Sequence, residues 1–299
     1  MSNASDTDKL IIVLQSYSTY ISIIIFCFGL IGNLLNILIF TNLKIFHRNR
    51  CAFYLIVESF VDIGQLSQLF VNQVWQTSVN GNDPLNISPT WCKLKTLVVQ
   101  WCRLMLAFII CFAAIDQFLS TNPVFYLRQW SSLKIAHRQI YVCTFLCLVH
   151  IIPFAIYLQI HDSLGCIITN NNLLNYYSFF YYPVLNGLLP IFISCVFSLL
   201  AYRNVRRIIR RQISVDRRRL DQQLTAMIFV RIINYTILTL PYIIYRIYSL
   251  NITINQTDRH RYVVNQLIYS VFSSLISINH AVGFFSSLNK KVCFFFELF

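Results

Sequence analysis

The sequence predicts an all-α protein, a seven-transmembrane helix bundle with its N-terminus outside and a short amphipathic helix at its C-terminus. Three observations predict it. Apolar residues fill 57% of the 299 positions and charged residues only 12%, too little polarity for a surface folded in water. The apolar residues gather into segments near 17–42, 52–76, 91–121, 138–160, 176–206, 223–250 and 262–288. Each is long enough to cross a hydrocarbon core of about 30 Å. Basic residues, finally, collect between alternate segments.

Taken in order, residues 1–16 form a polar head with no basic n-region and no small-residue cleavage site. They read as an extracellular N-terminus before a retained first helix, not as a removed signal peptide. Residues 17–288 make the membrane domain and 289–299 a cytoplasmic tail. Helices in lipid are apolar all round, so length and flanking charge mark the spans better than periodicity does. Lys44, Arg48 and Arg50 follow the first segment, and Arg128, Lys134 and Arg138 follow the third. Eight arginines lie from Arg203 to Arg219 after the fifth, and Lys290 and Lys291 follow the seventh. The opposite side carries Lys9, Lys93, Lys95, Arg259 and Arg261. Positive charge marks the cytoplasmic face of a multi-pass membrane protein, which puts the N-terminus outside and the C-terminus inside. The net charge of +13 is therefore a matter of orientation and anionic lipid, not of nucleic acid. The sequons at Asn3, Asn86, Asn251 and Asn255 fall outside, where glycosylation takes place, whereas that at Asn234 lies within the sixth segment.

Most of the ten cysteines, among them Cys27, Cys111, Cys143, Cys147 and Cys195, sit inside apolar segments, where a thiol behaves as a small hydrophobe. There is no Cys/His spacing for zinc, no nucleophile–base pairing and no phosphate loop, so the expectation is not an enzyme. The lack of an inverted internal repeat weighs against a transporter or channel.

Ionisable groups inside the segments need a reason, because each costs about 3 kcal/mol at a helix centre. Glu58 and Asp62 share one face of the second segment, and Arg103 lies three turns into the third. Two readings stand for Arg103: an internal ion pair with those carboxylates, or a pocket wall. In the second reading Arg103, Gln100 and Arg246 receive a carboxylate or another acceptor-rich group. Arg246, five residues beyond Pro241, also has the option of snorkelling.

The third segment opens on Cys92 and closes on Asp116-Gln117-Phe118, 24 positions later, roughly 36 Å along a helix. Gly32-Asn33, Asp62, Pro153, Pro190 and Pro241 stand in the first, second, fourth, fifth and sixth segments. This set resembles the rhodopsin-like (class A) G-protein-coupled receptors, in a divergent form of the peptide-receptor kind, and the likeness covers nearly the whole chain. It implies a Cys92–Cys166 disulfide, the two cysteines on the oxidising side. It implies a polar core of Asn33, Asp62 and Asn279, read either as a sodium site or as a structural hydrogen-bond knot, with Leu106 near where the family offers a serine ligand. No other cofactor is implied. The likeness further implies a cytoplasmic switch at Asp116, Gln117, Phe118 and Asp221, helix kinks at Pro190 and Pro241, and a ligand pocket of Gln100, Arg103, Thr239, Tyr242 and Arg246. The tail would lie on the membrane with Cys293 either palmitoylated or unmodified. The implied partners are an extracellular ligand, a peptide by general likeness, a heterotrimeric G protein and the lipid bilayer.

The departures are equally specific. Gln117 replaces the arginine of the third-helix triplet, Thr239 replaces the sixth-helix tryptophan with Tyr235 one turn inward, and the fourth-helix tryptophan has no counterpart. The seventh-helix motif reads as Asn279-His280 or, four residues on, as Gly283-Phe284. Val99 stands where amine receptors carry an aspartate, and the seventh segment has no lysine, so amine and retinal ligands drop out. Opposite Asp221, Gln117 would make a neutral bond contributing about 1 kcal/mol, against roughly 1.5–3 for a charged one. The expectation is a weaker resting lock in a G-protein-coupled receptor. The alternative is a receptor-shaped protein that binds ligand or partners without efficient coupling.

Overall fold

The computed structural model describes residues 2–43, 49–78, 88–161, 165–208, 215–251 and 259–283. Among them the chain is helical apart from one hairpin. Helices α1 (Ser2–Asn42), α2 (Arg50–Ser78), α3 (Pro89–Thr121), the short α4 (Phe125–Gln129) and α5 (Leu133–Tyr157) lead to strands β1 (Leu158–His161) and β2 (Gly165–Ile168). Then come α6 (Asn171–Tyr176), a π-helical segment (Tyr177–Leu188), α7 (Leu189–Ile208), α8 (Val215–Asn251) and α9 (Arg259–Ala281).

Local chemistry sets the ends. Ser88 caps α3 by accepting from the Trp91 amide, with Pro89 in the first turn, and Asn122 leaves the helix in extended geometry before Pro123. Ser132 and Asn170 cap α5 and α6 in the same way, on Ile135 and Leu173. In the hairpin Ile160 pairs with Cys166, and a Cys92–Cys166 disulfide, Cα–Cα 5.8 Å, ties β2 to the first turn of α3.

Among the described residues five stretches are long and apolar enough to cross a membrane: Lys9–Asn42, Pro89–Thr121, Leu133–Tyr157, Asn171–Arg206 and Thr225–Ser249. The helices α2 and α9 are not among them, because they carry the buried polar residues Glu58, Asp62, Gln65 and Asn72 on one and Asn279 and His280 on the other. Outward rows of Phe28, Phe145, Leu146, Phe192 and Ile237, each more than half exposed, form the surface of a membrane protein.

Several boundaries differ from those expected. α1 begins at Ser2 and not near Tyr17, so the polar head continues the helix; 41 residues reach about 60 Å, twice the hydrocarbon thickness. The fourth segment ends at Tyr157, where the chain turns extended into the hairpin. Pro190 lies just past a π-to-α junction and not in the middle of a regular helix. The Leu189 amide there bonds to the Val184 carbonyl, and Pro183 and Pro190 supply no donors to a regular ladder. Pro241 does lie inside α8. Asn3 and Asn251 sit in the first and last turns of α1 and α8; their side chains, together with Asn86, Asn255, the Asp221 side chain and the Cys293 tail, lie outside the described residues.

The packing closes on itself. α1 lies against α2 and α9, α9 against α8, α8 against α7, and α7 against α3, while α2 meets α5 and α3. α3 also touches α5, α8 and the π segment. It therefore runs through the middle, which explains why its buried residues occur on every face from Cys102 to Ala114. Gly29 sets the approach of α1: a Cβ there would lie 2.5 Å from Leu66 Cδ1 and 3.2 Å from the Ala281 Cα. The leucine tip can turn away, but the α9 backbone cannot without moving. Gly29→Ala is expected to destabilise the protein by about 1–3 kcal/mol. Gly64→Ala, whose new Cβ would meet only Cys102 Sγ at 3.9 Å, is the contrast and is expected to melt near the parent. Thermal melting of the purified variants checks the pair.

Candidate functional site

Two polar clusters lie inside the bundle, one above the other on α8. The first is built around Arg231, which is 3% exposed. Its Nε donates to Glu58 Oε1, its Nη1 donates to Asn279 Oδ1 at 2.5 Å, and its Nη2 lies 3.9 Å from Asp62 Oδ2. Glu58 and Asp62 are four residues apart on α2, so helical geometry puts both carboxylates on one face. Asp62 Oδ1 is 2.6 Å from His280 Nδ1; a carboxylate only accepts, so this ring nitrogen carries the proton. Asn33 Nδ2 donates to the Gly29 and His280 carbonyls, at 2.9 and 3.0 Å, and brings α1 into the cluster. Four helices are thus tied through one guanidinium and its neighbours.

The cluster holds Asn33, Asp62 and Asn279 together, but it does so around an arginine. The sodium reading fits poorly. Asn279 Oδ1 is turned to Arg231, Leu106 supplies no oxygen, and of the side-chain oxygens of Asn33, Asp62 and Asn279 two, Asn33 Oδ1 and Asp62 Oδ2, lack hydrogen-bond partners. A second cation on Asp62 would sit near the guanidinium, with a repulsion of about 4 kcal/mol at 4 Å and an effective dielectric of 20. Both seventh-helix registers face this cluster. Asn279 and His280 join it directly, and a Cβ at Gly283, one turn on, would lie 3.6 Å from Asp62 Oδ2.

The second cluster surrounds Arg103, which is buried eleven positions after Cys92. It does not pair with Glu58 or Asp62, as one sequence reading had it, because Arg231 takes both. Instead Nη1 donates to the Tyr242 hydroxyl at 2.7 Å, and the guanidinium carbon lies 4.7 Å from the centre of that ring. Arg246 lies over the rings of Tyr182 and Tyr269, at 5.6 and 5.7 Å. Arg103, Thr239, Tyr242 and Tyr182 line one narrow cavity that continues down to Asn279 and His280. Gln100 is buried but does not line it; its carbonyl accepts from the Tyr181 hydroxyl at 3.3 Å.

Near the Thr121 end of α3, Asp116 accepts from Ser131 Oγ at 2.6 Å and pairs with Arg50 Nε at 3.5 Å. Gln117 Nε2 donates to Thr225 Oγ1 on α8 at 2.6 Å, so Thr225 is a partner that the sequence reading did not name. Phe118 packs against Phe197 of α7, ring centres 5.4 Å apart.

Sequence reasoning missed Arg231, His280 as the Asp62 partner, and the tyrosines at 177, 181, 182 and 269. One signal was present: Arg231 is a charge inside an apolar segment, ten residues before Pro241. Neither a family model nor a curated protein matches the chain.

With the guanidinium standing in for a bound cation, the melting temperature should be the same in sodium chloride and in N-methylglucamine chloride at equal ionic strength. A rise of several degrees specific to sodium, abolished by Asp62→Asn, would overturn this assignment.

Proposed function

We propose that the chain is a seven-span receptor of the class A kind, sited in the plasma membrane with its N-terminus outside. It takes an extracellular ligand, a peptide, and passes the signal to a heterotrimeric G protein. Counting α6, the π segment and α7 as one, the described residues form seven long helical stretches, α3 among them, which supports the seven-span reading. The observation that carries the signalling reading is how α8 is held. Thr225 ties it to α3, Arg231 to α2 and α9, Tyr235 to the Asn186 carbonyl in the π segment, and Tyr242 to α3 again.

A helix held by a few discrete polar ties has discrete alternative positions, and a ligand with different affinities for those positions shifts their populations. The cavity reaches from Arg103 and Tyr242 to the Arg231 partner Asn279, so a ligand group above bears on the tie below. On the arginine-rich side, a shift of α8 opens the face offered to the G protein. We propose binding and transduction, not catalysis.

A second reading rests on one contact. Gln117 meets Thr225 through a neutral bond where the family uses a charged arginine, which suits a receptor-shaped protein that couples weakly.

G-protein activation across a panel of G proteins, without ligand and then with a peptide library, separates the two. Transduction predicts a ligand-dependent signal from the parent at verified surface expression. A signal only in Gln117→Arg favours the second reading, and silence in both overturns the first.

A further inference from the structure

We infer that the cage formed by Arg103, Arg246, Tyr182, Tyr242 and Tyr269 binds a carboxylate, and that the ligand is a peptide entering by its free C-terminus. The inference deepens the receptor reading and rests on it for the side of approach. Its first support is charge. The carboxylates with described side chains, Glu58, Asp62 and Asp116, are all committed to Arg231, His280 or Arg50. Among the described residues no carboxylate pairs with Arg103 or Arg246. The two guanidinia rest on adjoining tyrosine rings, Arg103 on Tyr242 and Arg246 on Tyr182 and Tyr269, with hydroxyls and π-faces to balance them. A buried charge without a counterion is strongly disfavoured, whereas Arg with a carboxylate makes a strong bidentate pair.

The second support is unfilled donors. The Nε groups of both arginines are buried and lack hydrogen-bond partners, as does the Thr239 hydroxyl beside Arg103. The cage offers more N–H donors than acceptors, which suits an anion and repels an ammonium group. The third support is shape. The cavity below Arg103, lined by Leu106, Ile243 and Ile276, holds only about 10 Å³, room for one water, so a ligand reaches the cage with an end group and goes no deeper. A peptide's main-chain carboxylate is its C-terminus, and the rings of Tyr182, Tyr242 and Tyr269 flank the two guanidinia that receive it. A carboxylate that engages Arg103 competes with the Tyr242 hydroxyl, next to Pro241, and so loosens the tie of α3 to α8 at this level.

The test uses the full chain in phosphatidylcholine nanodiscs. It is presented with a library of N-acetylated dipeptides ending in Phe, Tyr or Leu, once as free acids and once as C-terminal amides. Affinity selection should retain the acids roughly ten- to a hundredfold over the amides, as a charged hydrogen-bonded pair implies. That preference should be lost in Arg103→Gln and, independently, in Arg246→Gln; the two arginines lie on different helices, α3 and α8, so loss in both guards against a result due to the misfolding of one variant. Retention of neither form, equal retention of both, or a preference that survives both substitutions overturns the inference. So does stabilisation by phosphatidylglycerol in place of the acids, which would give the cage to a lipid phosphate. The binding readout needs no G protein. Acids retained without signalling sink transduction alone, and signalling driven by a peptide amide sinks this inference alone.

Discussion

One guanidinium sets the arrangement of the inner half of the bundle. Glu58 and Asp62 lie a single turn apart on α2, and two buried carboxylates at that distance repel each other unless a cation lies between them. Arg231 of α8 supplies it and also reaches Asn279 of α9. His280, next along α9, takes the other oxygen of Asp62, and its carbonyl takes Asn33 of α1. The close approach of α1 at Gly29 brings Asn33 within reach of that carbonyl, because a larger side chain there would hold α1 off Leu66 and Ala281.

The arginines divide into two kinds. Arg231 and Arg50 are spent on carboxylates and tie helices together. Arg103 and Arg246 rest on tyrosines, which stabilise a cation weakly, by about 1–2 kcal/mol each when desolvated, and leave it able to take a stronger partner. On α8, Arg231 thus meets carboxylates while Arg246 rests on aromatic rings, as Arg103 of α3 does opposite it. Gln117 of α3 and Thr225 of α8 add an uncharged contact between the same two helices.

The apolar segments were legible because lipid demands long runs of apolar residues, a constraint written directly into the chain. The cysteine pair was legible through a family likeness, since nothing in the spacing of Cys92 and Cys166 states that they meet. Arg231 was not legible as an organiser: its partner Glu58 is 173 positions away, and an arginine within a segment names no partner. Arg103 was the more conspicuous arginine, and the carboxylates were offered to it for that reason. Which of two arginines reaches them depends on helix rotation, which an all-round apolar sequence leaves open. The start of α1 was misplaced because a polar sequence and a helical one are not exclusive, and the opening of β1, residues 158–160, read as the end of an apolar run.

The most direct test of the account is a double-mutant cycle on thermal stability with Arg231→Leu, Glu58→Leu and the pair together. Removing one partner strands a buried charge, at a cost of about 3–5 kcal/mol, whereas replacing both with packed apolar side chains is often nearly neutral. The account predicts two damaged single variants and a double variant close to the parent. Additive losses would show that Arg231 and Glu58 contribute separately, and would contradict the claim that this pair holds α8 in place.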